Sequence, residues 1–252
     1  MSILEVKGLK VAYGDNVILD DISFSVEPGE RLFIVGGSGS GKSTLLRAII
    51  GLAPVVAGSI VLSGVETGKA RANELQALYR RVGVLFQSGA LFASMTLSEN
   101  VALPLMDFGG LSPQLASEVA KMKLSLVGLA GYENHLPAEI SGGMQKRAGL
   151  ARALAMDPLV LFLDEPSAGL DPITSAELDR LIIELNEGLG TTMIVVSHEL
   201  ASIFAVGQRV IMLGKEKAGL LASGSPKELE ESEQPAVKNF FQRRLEEHTG
   251  EK

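Results

Sequence analysis

One octapeptide constrains this chain more than any other feature. Gly36-Gly37-Ser38-Gly39-Ser40-Gly41-Lys42-Ser43 follows the pattern G-x-x-x-x-G-K-[ST], directly after the apolar run Leu32 to Val35 and before the helix-compatible segment Thr44 to Ile50. Strand, glycine-rich turn and helix in that order make a phosphate-binding loop. The glycines let the backbone curl so that its N–H groups point at phosphate oxygens, and the helix N-terminus adds a favourable dipole. Gly36 to Gly41 and Thr44 are expected to cradle the phosphates. Lys42 should supply a point charge to the β- and γ-phosphates, and the Ser43 hydroxyl a ligand to Mg²⁺. A chance match to the pattern arises in roughly one chain in a hundred of this length, and the flanking strand and helix make coincidence rarer.

Such a loop needs an α/β frame, and the remaining pattern supplies one. Val82 to Phe86, Leu159 to Leu163, Met193 to Val196 and Val210 to Leu213 are continuous apolar runs like Leu32 to Val35. They fit strands buried on both faces of a parallel sheet covered by helices. The first 30 residues read as β instead, with Ile22, Phe24 and Val26 alternating with serines; Ile60-Val61-Leu62 is a further β-like piece. Leu178, Leu181, Ile182 and Leu185 form a helical stripe. Residues 96 to 156 show no strand pattern and predict a helical insertion, taken as about 90–156. Thr96 to Glu99 and Ser225 to Glu228 have the form of capping boxes. A single domain over 1–225 is expected, followed by a helical extension over 226–252 in which Phe240 and Phe241 should seek cover.

Composition narrows the function classes. The 252 residues contain no cysteine, which excludes disulfide scaffolds, zinc–thiolate sites and thiol catalysis. A formal charge of −7 argues against nucleic acid as a partner. No stretch reaches the ~20 mostly apolar residues of a membrane span, and Glu5, Lys7 and Lys10 interrupt the place of a signal peptide. The chain is therefore expected in the cytoplasm, and any work at a membrane requires a partner to hold it there.

Two further strings carry chemistry. The run Leu159 to Leu163 ends in Asp164-Glu165, the Walker B arrangement, which sets Asp164 beside the metal and leaves Glu165 to orient or deprotonate an attacking water. Ile140-Ser141-Gly142-Gly143-Met144-Gln145 precedes a helix with Met144, Ala148, Ala151 and Ala155 on one face. Ser141, Gly142 and Gly143 stand at that helix N-terminus, an anion site.

On these residues the chain resembles the ATP-binding-cassette (ABC) ATPases, whose signature reads Leu-Ser-Gly-Gly-Gln, and the resemblance runs essentially end to end. It implies a RecA-like core with a parallel sheet, an antiparallel β subdomain and an α-helical subdomain. Further roles follow from it. Tyr13 stacks on adenine, and Gln87 is the Q-loop glutamine that senses Mg²⁺ and the transmembrane partner. Ser167 to Asp171 is the D-loop, and His198 the switch histidine that contacts the γ-phosphate. Taken alone, Tyr13 reads as an edge-strand aromatic, Gln87 as a loop amide, Asp171 as an N-cap before Pro172 and His198 as a surface histidine. The family also implies that Ser141 and Gly143 face ATP held by a second copy's phosphate loop, so that two chains pair head to tail around two ATP molecules. The fifth signature position departs from the pattern, with Met144 in place of glutamine.

Glu139 to Met144, Gln87 to Phe92, Met95-Thr96 with Glu99 to Val101, and Asp171 to Thr174 together look like the ATPases of MCE-type lipid transporters, the Mla phospholipid system among them. That likeness implies a homodimer peripheral to the cytoplasmic face of the inner membrane, bound to two integral permease subunits, with an MCE-type protein carrying lipid beyond. An ATPase of a polar amino acid or other small-solute importer shares every core motif and stays open. A soluble ABC mechanoenzyme should show a coiled-coil insertion or a tandem cassette, and a GTPase an Asn-Lys-x-Asp string; neither pattern is present.

Overall fold

Strands that are apolar at every position need apolar surroundings on both sides, and these have them. In the computed structural model, which describes residues 1–214 and 218–242, the runs become β3 (Arg31–Gly36), β6 (Val82–Leu85), β7 (Val160–Asp164), β8 (Thr192–Val196) and β9 (Arg209–Leu213). With β10 (Leu220–Gly224) they make a six-stranded sheet in the order β10-β9-β3-β8-β7-β6, parallel except for the antiparallel β9–β10 pair at one edge. Leu32, Ile34, Phe162, Ile194 and Ile211 face one core, while Phe33, Val35, Leu161, Met193 and Val210 face the other. Each such side chain, fully buried, contributes about 1.5–3 kcal/mol.

The first core is closed by a four-stranded antiparallel sheet, β1 (Leu4–Tyr13), β2 (Asn16–Val26), β4 (Val55–Leu62) and β5 (Val65–Glu66), in the order β2-β1-β4-β5. Ile22 and Val26 are buried there as the alternation requires. Helix α1 (Lys42–Ile49) enters the same core through Leu45, Leu46 and Ile49, which fixes the phosphate loop between β3 and α1. Helix α2 (Ala72–Tyr79) buries only Leu78.

The second core is closed by helices. α3 (Leu97–Asp107), α4 (Pro113–Leu126) and α5 (Gly142–Ala153) occupy the strand-free stretch, and α6 (Pro172–Leu189) buries Leu178, Ile182 and Leu185 of the expected stripe. Thr96 and Ser225 cap α3 and α8 (Pro226–Glu230) through complete capping boxes with Glu99 and Glu228. In α9 (Pro235–Phe241) the Phe241 ring is 3% exposed and meets Phe204 of α7 (Leu200–Val206) edge-on at 6.0 Å, so the expected cover is this chain's own second core. The expected extension beyond residue 242 lies outside the described residues. No helix among the described residues is long and apolar enough to cross a membrane.

Candidate functional site

The site stands at the carboxyl ends of the parallel strands, where β3, β7 and β8 each release a chemically loaded loop. Gly36 ends β3 with φ 148°, and a Cβ there would lie 2.6 Å from both the Leu213 carbonyl and Ser40 Oγ, so no other residue fits. The exposed turn Gly37-Ser38-Gly39 follows, and Gly41 begins α1 in a left-handed conformation. Ser40 Oγ is buried without a partner, an orphaned polar atom inside the cradle. Lys42 Nζ donates to the loop's own carbonyls, Gly36 O at 2.9 Å and Gly37 O at 3.1 Å. Burial pushes the Lys42 ammonium's pKa down, against the opposing pull of Glu165 and Asp164.

From β7 come the two acids. Asp164 is buried and accepts from Ser43 Oγ at 3.3 Å. Burial pushes its carboxyl up, the Ser43 bond working the other way. Among the described residues no group of three or more His, Cys, Asp or Glu could hold a metal unaided. A hydroxyl beside one carboxylate fits a hard cation of the Mg²⁺ kind, which takes one or two protein oxygens and completes its shell with substrate phosphates and water.

Glu165 leaves the strand with φ 50°, left-handed for a residue with a Cβ. Its N–H donates to Val196 O at 2.8 Å, which ties the bend to β8. The bend presents the carboxylate to His198, whose Nδ1 lies 2.8 Å from Glu165 Oε1. Glu165 and His198 are therefore in contact, with His198 exposed and Glu165 largely covered.

The other expected residues are placed as follows. Tyr13 ends β1 and is 50% exposed. Gln87 is exposed on the loop after β6. Asp171 caps α6, accepting from the N–H groups of Ile173 and Thr174 and from Thr174 Oγ1, which is the N-cap role weighed for it; Thr174 pulls its carboxyl below the usual range. Ser141 is the exposed N-cap of α5, accepting from Met144 N at 3.3 Å. Gly143 is forced, since a Cβ there would lie 2.5 Å from Thr174 Cγ2. Among the described hydrogen bonds none joins Ser141, Gly142 or Gly143 to the phosphate loop.

Four residues of α5 make contacts beside the site that the sequence pattern did not reveal. Met144 packs against the second core, and its neighbour Gln145 takes the local polar duty, donating to Pro137 O and Ile140 O. Lys146 of α5 is 7% exposed and donates to the main-chain carbonyls of Gln87 and, at 3.4 Å, Glu165. Arg152 donates to Ala90 O at 2.7 Å and Gly89 O at 3.0 Å. A buried cation satisfied by carbonyls leaves no mark on the local sequence; only the packing of α5 on the Gln87 loop reveals it.

With this geometry in place, comparison with known proteins is direct. The family model described as ABC transporter matches residues 19–168. The mkl protein of Mycobacterium leprae, a probable ribonucleotide transport ATP-binding protein, is 40% identical over 94% of this chain and 68% of its own length. MlaF of Escherichia coli, the ATP-binding protein of an intermembrane phospholipid transport system, is 38% identical over 95% of this chain and 88% of its own. Among solved structures, a dimeric ATP-binding cassette in a post-hydrolysis state bound to ADP and Pi superposes with a TM-score of 0.79 at 31% identity, covering 88% of this chain and 98% of that one.

Proposed function

This chain belongs to the ABC transporter family, an ATPase that energises a membrane transporter, and from that premise we propose that its cargo is phospholipid. The observation that carries the cargo is the likeness to the phospholipid-system ATPase, which spans nearly the whole of both chains. The likeness to the mycobacterial relative supports a second reading, in which a polar solute is moved.

In the proposed cycle ATP lies along Gly36 to Thr44 with its adenine against Tyr13. Lys42 leaves the Gly36 and Gly37 carbonyls for the β- and γ-phosphates. Ser43, Asp164 and Gln87 would hold Mg²⁺, which would supply neutralising charge to the phosphates there. Glu165 accepts the proton of the attacking water, and His198 holds that carboxylate in place while facing the γ-phosphate. The helix N-terminus at Ser141, Gly142 and Gly143 has free amides and no acidic residue in its first turn, which suits a phosphate presented by a second copy, with Asp171 close to that junction. The dimer is then tight with ATP and loose after hydrolysis, and a difference of affinity between states is what can drive a partner's conformational change.

That partner is a pair of integral permease subunits, which hold this chain at the cytoplasmic face of the inner membrane, with an MCE-type lipid-binding protein beyond. A groove of about 620 Å³ beside the Gln87 loop, lined by Tyr79, Val82, Phe92, Leu103, Phe108 and Met156, supports this reading. Phe92 and Phe108 are exposed there, an apolar surface suited to a short permease helix. The test is mass spectrometry of Glu165→Gln protein purified with ATP from its native membranes. A permease with an MCE-type protein is the expected company; a solute permease would replace the cargo reading with the second one, and soluble partners alone would overturn both.

A further inference from the structure

Lys146 of α5 sits where that helix meets the loops after β6 and β7. It is buried on α5, five residues after the exposed signature Ser141, and its hydrogen bonds among the described residues go to main-chain carbonyls. Its ammonium is shared by two main-chain carbonyls that belong to different loops, Gln87 O after β6 and Glu165 O after β7. Both loops are in conformations that a side chain disfavours, since Ala90 has φ 50° and Glu165 has φ 50°. A buried charge is costly and is retained only where its partners are numerous or its position matters. Arg152, two turns along, fastens the same Gln87 loop through the Gly89 and Ala90 carbonyls, so the loop hangs from α5 by two cations.

We infer that Lys146 is a positioning residue through which α5 sets the backbone of Gln87 and Glu165 together, so that displacement of the signature helix by a second copy is felt at the base and at the metal-side glutamine at once. It touches neither substrate nor reacting atoms and acts by holding the strained Glu165 turn that aims the carboxylate at His198. The inference rests on the roles proposed above for Glu165 and Gln87.

The experiment compares Lys146→Met, Lys146→Arg and Glu165→Gln with the unaltered full chain, each with the membrane subunits that co-purify with it. Turnover, ATP affinity by titration calorimetry and melting temperature are read in parallel. Lys146→Met should lower kcat by about ten- to a hundredfold while ATP affinity stays within about threefold, and Lys146→Arg, which keeps a cation that reaches both carbonyls, should recover most of the loss. Unchanged kcat in Lys146→Met overturns the inference. So does a kcat loss matched by equal loss of ATP affinity or of folding that Lys146→Arg does not repair. Glu165→Gln turning over normally would instead overturn the site reading beneath it.

Discussion

Two helix N-termini in this molecule are proposed above as phosphate sites, and they are finished differently. At α1 the loop folds round its own charges: Lys42 rests on the Gly36 and Gly37 carbonyls, Ser43 on Asp164, and Glu165 on His198. At α5 the capping Ser141 is exposed and bonds only within its own helix, while the glycine behind it is wedged against Thr174. Neither helix carries an acidic residue in its first turn, so both leave amides for an outside negative charge. The difference is that the polar side chains at one end are bonded to one another or to the loop's own carbonyls, whereas the cap at the other end is exposed and bonded only within its own helix. Under the function proposed above, the cradle of one chain is completed by the outward-facing half-site of another copy.

That contrast can be broken at either end. The largest expected effect is at the base. Glu165→Gln should lower phosphate release by about 10²–10⁴-fold while ATP still binds, leaving a dimer that light scattering detects; normal turnover would remove Glu165 from its role. Next, Lys42→Ala forfeits a charge-assisted bond of about 1.5–3 kcal/mol, so calorimetry should find ATP affinity weakened by about 10- to 100-fold. At the other end, Ser141→Ala loses its cap, about 1 kcal/mol, or about 2–4 °C in melting temperature. ATP affinity measured on dilute, monomeric chain should stay unchanged while ATP-driven dimerisation weakens. A fall in monomer affinity like that of Lys42→Ala would erase the distinction between the two ends.

The smallest effect is a control remote from both. Asp179 of α6 is buried and accepts from Ser202 Oγ at 2.8 Å, and burial pushes its carboxyl up. The native state therefore holds this proton more tightly than the unfolded chain. The stability so gained is present below the ordinary aspartate range and is lost as pH rises through the raised pKa. Asp179→Asn should raise the melting temperature by about a few degrees at neutral pH, with no gain in acid, and leave ATP affinity and dimerisation alone.

The same contrast governs how much could be read from the sequence. The parallel strands were legible because residues of both parities face a core, which leaves an unbroken apolar run such as Val160 to Leu163. Strand β10 has only one neighbour and no fully buried residue, with exposed Ser223 and then Gly224 at its end, and α2 buries a single leucine; neither has a periodicity to find. The phosphate loop was legible because backbone curvature demands glycine at fixed spacing. Lys146 and Arg152 were not, since their partners are carbonyls, which any residue supplies, and only the approach of α5 to the Gln87 loop chooses which ones. Asp171 was legible twice, as family motif and as N-cap, and its oxygens are bonded as a cap.

The claim that two copies share each ATP site can be tested at the two helix ends directly, because the chain has no cysteine. One preparation would carry Ser38→Cys and another Ser141→Cys, both in the Glu165→Gln background, mixed and mildly oxidised. The account predicts an ATP-dependent disulfide between a chain altered at 38 and a chain altered at 141, absent without nucleotide and absent when either preparation is oxidised alone. Cross-links that join 38 to 38, or that form equally without ATP, would contradict the head-to-tail site.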